Sequence, residues 1–71
     1  MTAQVSLLAE AAARIIAAGE ELASHGQFLK ALEQFRRAAE QFPNNYEAWV
    51  GKGACHLKLG EWDKVRSILL A

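Results

Sequence analysis

One cysteine, Cys55, and one proline, Pro43, occur among 71 residues. A lone thiol closes no internal disulfide, which excludes a small secreted fold stapled by bridges. A single proline leaves long stretches free of the residue that most strongly interrupts helices. Neither sign of charge is in excess, because eight Lys and Arg balance eight Asp and Glu. The positive surplus that drives binding to phosphate backbones is therefore missing, and nucleic acid is not expected as a partner. β-Branched residues are few and no stretch alternates strictly, so strands are not expected. No run approaches the ~18 apolar residues that cross a bilayer. The first basic residue is Arg14, and Gln4, Ser6 and Glu10 interrupt the apolar residues before it, unlike a secretory leader. A cytoplasmic protein that makes no membrane contact is the expectation.

What is present is apolar and helix-forming. The chain is 52% hydrophobic, too much for a disordered tail. Alanine, the best helix former, supplies about a fifth of it. Val5, Leu8, Ala12, Ile15, Gly19 and Leu22 advance by helical steps and draw one apolar seam. Phe28, Leu32, Phe35, Ala39 and Phe42 draw a second. Trp49, Gly53, His56 and Gly60 draw a third of smaller side chains, and Trp62, Val65 and Leu69 a short fourth. Breakers separate them: Ser24-His25-Gly26-Gln27, Pro43-Asn44-Asn45, and Gly60. Gly26 and Gly60 suit the left-handed position after a helix end. Pro43 stops the second helix, and Asn44 or Asn45 can cap the third. Four helices follow, at about 3–25, 27–42, 45–59 and 61–70, folded by short turns into antiparallel hairpins. Gly19, Ala31, Ala38 and Gly53 lie in the seams, where small residues let helices approach closely, and a third mid-helix glycine, Gly51, also points to a packing reason.

Displacing the sequence by 34 residues places Gly19 on Gly53, Gly26 on Gly60, Lys30 on Lys64 and Gln27 on Glu61. Phe28 falls on Trp62, Ile15 on Trp49, Ala31 on Val65 and Phe35 on Leu69. The first copy reads Ile15-x2-Ala18-Gly19-x2-Leu22, then Ala31-x3-Phe35, then Pro43. The second reads Trp49-x2-Lys52-Gly53-x2-His56, then Val65-x3-Leu69. Two helices per 34-residue period, with this pattern of small and aromatic positions, resemble the tetratricopeptide repeat (TPR) family over about residues 12–71. Lys52, His56 and Ile15 depart from the family's leucine, tyrosine and tryptophan.

The resemblance implies an all-α fold of antiparallel helix hairpins stacked as a short TPR-type right-handed superhelix. It forms a single domain over 1–71: an N-terminal helix extension (1–11), repeat one (12–45) and an incomplete repeat two (46–71). The first helix of each pair then lines a concave groove that binds a peptide or an amphipathic helix of another protein. Carried over, the groove positions are Ala13, Ile16, Glu20 and Ala23, with Glu47, Val50, Ala54, Leu57 and Lys58 from the second repeat. The reading that competes with this has Ile16, Val50 and Leu57 buried by the chain itself or by a second copy. Chaperone-binding members hold C-terminal carboxylates through lysines and asparagines. The corresponding Ile16, Glu20 and Gly51 cannot donate those hydrogen bonds. A shorter similarity, Gly51-x-Gly53-Ala54-Cys55 followed by Gly60-Glu61-Trp62, links the chain to type III secretion chaperones, which are also built of these repeats.

No catalytic constellation is visible, and no cofactor or metal is expected. Gly51-Lys52-Gly53 lacks the spaced glycine and following Ser or Thr of a phosphate loop, and lies inside a helical seam. Cys55 and His56 point about 100° apart on a helix and cannot share one metal ion. His25 has no ligand at suitable spacing, and Cys55 is read as a packed, inert thiol. Glu61 and Asp63 fit a helix first turn, and Glu20 and Glu21 an exposed helix surface, rather than acid–base chemistry. Arg36 and Arg37 are interleaved with Glu33 and Glu40, giving expected pairs Glu33–Arg37 and Arg36–Glu40 on a solvated face. An enzyme is not expected. The alternative to a binding groove is a self-associating structural unit, a homo-oligomer or part of a longer repeat scaffold. The second repeat stops short of its full length with Ile68, Leu69 and Leu70 uncovered, whereas Val5, Leu7 and Leu8 extend the first helix as a cap.

Overall fold

The computed structural model describes the backbone of residues 2–70 and the side chains of residues 7–70, so the seam residue Val5 lies outside the described side chains. Among the described residues there are three helices and no strand: α1 (Thr2–Ser24), α2 (Phe28–Gln41) and α3 (Tyr46–Leu70). The all-α class stands, but four helices become three. The segments expected at 45–59 and 61–70 form one helix of 25 residues that runs straight through Gly60.

The first turn follows from Gly26. It adopts φ +75°, the left-handed conformation in which a Cβ costs ~1–2 kcal/mol. The backbone N–H of Gly26 donates to the Ala23 carbonyl at 2.9 Å and that of Gln27 to Leu22 at 2.9 Å. Those two bonds are a Schellman closure, which satisfies carbonyls that the end of α1 would otherwise leave free. The second turn is made by Phe42-Pro43-Asn44-Asn45. Phe42 N–H closes α2 on the Ala38 carbonyl at 2.8 Å, and Asn45 Oδ1 accepts from Ala48 N–H at 3.2 Å, capping α3. Trp49 Nε1 reaches back to donate to the Pro43 carbonyl at 2.8 Å, fixing the turn against the helix that follows.

Helix α2 lies between the other two, and its apolar stripe faces both. Ala31, Phe35, Ala38 and Ala39 are buried, together with Ile16 of α1 and Ala48 and Cys55 of α3. Ile15, Leu22, Ala23 and Leu32 pack around them. The core is thus mostly alanine, with Phe35 its one large ring. Gly19 and Gly51 make room for that ring. A Cβ built on Gly19 would stand 2.9 Å from the tip of Phe35, and one on Gly51 would overlap the ring outright. Removing such a ring costs ~3–5 kcal/mol, a large share of what so small a domain holds.

Three seams differ from the sequence pattern: at the start of the first, Leu8 is 58% exposed, and Leu7, expected with it as a cap, is 64% exposed. In α3 the buried positions are Ala48 and Cys55, with Gly51, Lys52 and Leu59 half-buried, whereas Trp49, Gly53, His56 and Gly60 face outward. The helix is turned by one residue, about 100°, from the expected seam. Small side chains at 48, 51 and 55 admit the Phe35 ring, and Trp49 is too large to sit there. Gly53 accordingly has no neighbour within 4 Å of where a Cβ would be, so it permits no close approach within this body. The fourth seam is not a core at all, because every residue from Glu61 to Leu70 is exposed.

That exposure explains the missing turn at Gly60. A glycine permits a left-handed turn without compelling it. At Gly26 the turn is held by the burial of Ala31 and Phe35 beyond it. Beyond Gly60 none of the described residues is buried, and the helix simply continues. Lys58 and Glu61, 3.6 Å apart, pair across Gly60 at helical spacing. The molecule is drawn out as a result, 58 Å in its longest dimension. Its radius of gyration is 14.6 Å, against about 11 Å for a compact chain of this length.

The two glycines should therefore respond oppositely to alanine. Gly60→Ala removes a helix-interior penalty of ~0.8–1 kcal/mol and should deepen the circular dichroism minimum at 222 nm. Gly26→Ala should lower the melting temperature, by roughly 4–8 °C for each kcal/mol of strain. A destabilised Gly60→Ala protein would show that Gly60 turns rather than continues.

Candidate partner-binding cleft

The second half of α1 and the first half of α3 run alongside each other, with α2 behind them. Between them lies a cavity of about 570 Å³. Helix α1 contributes Glu20, Ala23 and Ser24, and α2 contributes Phe28 and Phe35. Helix α3 contributes Tyr46, Glu47, Val50, Gly51, Ala54, Cys55 and Lys58. The helical period accounts for the α3 set, since positions 47, 50, 51, 54 and 58 recur at steps of three and four.

Of the groove positions expected from the sequence, Glu20, Ala23, Glu47, Val50, Ala54 and Lys58 meet at this cavity. Three do not. Ile16 is 4% exposed and belongs to the core, where it packs with Phe35. It offers nothing to a ligand, which is the competing reading of this residue. Ala13 is exposed on α1 but does not line the cavity. Leu57 is 64% exposed and points elsewhere, one residue and about 100° from Lys58. Val50, for which self-burial was the competing reading, is half exposed at the cavity wall. Phe28, Phe35 and Tyr46 were not anticipated as wall residues. Phe28 and Phe35 were assigned wholly to a core seam, although a half-buried ring such as Phe28 keeps one edge for a ligand.

The lining is apolar with charge at its margins. Glu47 and Lys58 stand eleven residues apart on α3, about 16 Å along the helix axis, so the cleft carries opposite charges near its two ends. Cys55 forms part of the wall yet is 2% exposed, and burial pushes its thiol pKa up. A thiol held protonated in this way is a poor nucleophile and a poor metal ligand. His56, its neighbour, faces solvent. Among the described residues no group of three or more His, Cys, Asp or Glu side chains is gathered to hold a metal ion. The lysine–asparagine carboxylate grip has no counterpart either: Ile16 is buried, Glu20 is acidic and Gly51 has no side chain.

The two adjacent arginines lie outside the cleft, on α2. Arg36 is held by Glu33 at 2.6 Å and Glu40 at 2.8 Å. The hydrogen bonds that it donates to Glu33 and the charges of both carboxylates raise the pKa of its guanidinium. Arg37 bonds Gln34 at 3.3 Å rather than the expected Glu33, because Arg36 already takes both oxygens of that carboxylate. Arg36 is thus neutralised by its own helix and forms no phosphate-binding patch with Arg37. Among the described residues no helix is long and apolar enough to cross a membrane.

Residues 22–71, more than half of the chain, match the family described as tetratricopeptide repeat. The chain belongs to the tetratricopeptide repeat family. No curated protein and no solved structure gives a significant match. Tetratricopeptide repeats are generally a non-enzymatic fold for binding other proteins, and the match covers α2, α3 and the last residues of α1, and so every residue that lines the cleft except Glu20.

The raised thiol pKa has a consequence for stability. Folding favours the protonated thiol, so this contribution is complete below the unfolded thiol's pKa, ~8.5. It is lost as pH climbs through the higher folded value. Denaturant midpoints measured from pH 7.5 to 10 should fall more steeply for the native chain than for Cys55→Ala. Equal slopes would show that the thiol is not shielded in the fold.

Proposed function

We propose that the protein is a non-enzymatic interaction module that holds a short segment of a partner protein in the cleft between α1 and α3. The occupant is an amphipathic helix or peptide whose apolar side enters against Phe28, Val50 and Ala54. The observation that carries this reading is the convergence of Glu20, Ala23, Glu47, Val50, Ala54 and Lys58 on one cavity of about 570 Å³. That volume lies within the ~300–1,000 Å³ of ordinary ligand sites. Its length suits about three turns of helix, and helices docked in grooves use anchors at i, i+3 or i+4, and i+7. Opposite charges at the two ends would set direction: a basic residue of the occupant toward Glu47 and an acidic one toward Lys58.

Several features support a protein occupant over other classes. The walls are apolar, the chain has no net positive charge, and the cleft residues fit neither a polyanion nor a carboxylate terminus. A chaperone-like role, as in the short similarity of residues 51–62 to type III secretion chaperones, is a special case in which the segment belongs to a client.

Selection from a displayed peptide library tests the proposal. Enriched peptides should carry apolar residues at helical spacing, and Val50→Arg should weaken their binding at least tenfold with the helical dichroism unchanged. Leu57→Arg, on the same helix but off the cavity, should bind as the native protein does. Peptides without apolar anchors, or undiminished binding by Val50→Arg, would overturn the cleft as the site.

A further inference from the structure

Helix α3 carries the cleft on one stretch of a face whose other stretch is bare. At 100° per residue, Val50, Ala54, Lys58, Glu61, Val65 and Leu69 fall within an arc of about 100° on this continuous helix. A stripe of that width is what a helix lays against a neighbour. Val50, Ala54 and Lys58 belong to the cleft. The cleft continues into a second cavity of about 240 Å³, which shares Phe28 and Lys58 with it and is lined beyond them by Glu61, Trp62 and Val65. Trp62, Val65 and Leu69 remain 54%, 45% and 77% exposed.

The bare stretch has the form of a ligand for the cleft. Trp62, Val65 and Leu69 stand at i, i+3 and i+7, the anchor spacing of a helix docked in a groove. Residues 61–70 span about 15 Å, against about 16 Å between Glu47 and Lys58. The two stretches cannot meet within one chain, because Ala54 and Val65 are about 16 Å apart along the axis of one continuous helix.

We infer that the cleft of one copy is occupied by residues 61–70 of a second copy, in a reciprocal antiparallel pairing of the two α3 helices about a two-fold axis between Leu59 and Gly60. The inference rests on the reading of the cleft as a groove for an amphipathic helix, and it names that helix. In this register Val65 and Leu69 of one copy lie over Ala54 and Val50 of the other. Charge sets the direction. Lys58 and Glu61, half exposed and 3.6 Å apart within one helix, come level with Glu61 and Lys58 of the second copy, so two ion pairs form across the axis. A parallel pairing would set Lys58 against Lys58 and Glu61 against Glu61. Glu20 finds a counterion in the same register. Gly19 and Gly51 both abut Phe35, which sets Glu20 about level with residue 52 of α3. Arg66 of the second copy is level with residue 53. It lies five turns beyond the buried Ala48, on the side of its helix that turns toward the hairpin of α1 and α2. Across a two-fold axis like flanks adjoin, which directs Arg66 at Glu20. The exposed area agrees in size. The chain exposes 5397 Å², whereas compact monomers of 7.8 kDa expose about 4,400 Å². The excess, about 1,000 Å², is close to the ~800 Å² that each partner contributes to a standard interface.

Sedimentation equilibrium of the full chain at micromolar concentrations should give twice the monomer mass. Leu69→Glu, at an exposed position outside the cleft lining, and Val50→Arg, within it, should each weaken dimerisation at least tenfold with helicity unchanged. A peptide selected on the Leu69→Glu monomer should dissociate the native dimer. Register and direction are read from single cysteines in a Cys55→Ala background. Ala54→Cys mixed with Val65→Cys should form a covalent heterodimer on oxidation. Neither alone should cross-link, because like positions stand about 16 Å apart. Cross-linking of Val65→Cys to itself would mean a parallel pairing and overturn the inference, as would a dimer indifferent to Val50→Arg. A monomer at all concentrations would also overturn it, and peptides bound through Val50 by that monomer would leave the cleft reading standing. A dimer broken by both substitutions, in a chain that enriches no peptide, would support the inference and remove only the foreign segment.

Discussion

One aromatic ring between two glycines sets the geometry of this molecule. Phe35 projects from the middle helix into the space left by Gly19 on one side and Gly51 on the other. Every other fully enclosed position of the core cluster except Ile16 carries alanine or cysteine. Small residues bring the helix backbones close, and the ring fills the volume that remains. Packing of this kind tolerates little change, since alanine is already too large at Gly51 and nothing smaller than Phe35 fills the gap.

The same constraint explains where sequence reading succeeded. Helices α1 and α2 and their turn were legible because three independent signals agreed: the 3–4 spacing around Phe35, the left-handed Gly26, and the break at Pro43. Helix α3 was harder. Large apolar residues usually mark the buried side of a helix, so Trp49 drew the seam toward itself. The neighbour in space is an aromatic ring already in place, which selects Ala48, Gly51 and Cys55 instead. A preference for small residues is visible only when the partner helix is known. Gly60 failed for a related reason: its likeness to Gly26 is local, whereas a turn needs buried residues beyond it.

The cleft was legible to the extent that it follows from helical faces. Glu47, Val50, Ala54 and Lys58 share a face of α3 by period alone, and Glu20 and Ala23 face them across from α1. Ile16 shares that α1 face in the repeat pattern but is level with Phe35, which draws it inward. Phe28 and Tyr46 at the cavity depend on how two helix ends meet across a turn, and no spacing rule carries that information. Arg37 shows the same limit in miniature, because Glu33 can serve only one guanidinium fully and Arg36 sits closer.

Phe35 also lies at the floor of the cavity, so the ring that separates the helices would sit beneath an occupant of the cleft. Recognition and folding are then not independent properties that can be tuned one at a time. A bound segment would restrain the one side chain whose displacement loosens all three helices, and heat resistance would rise with saturation of the cleft. Conversely, sequence drift that enlarges or reshapes the pocket floor is felt first as a loss of fold. With the cleft as the proposed binding site, changes of specificity would be steered toward its walls, at Glu20, Glu47, Val50 and Lys58, where side chains can vary without disturbing the wedge.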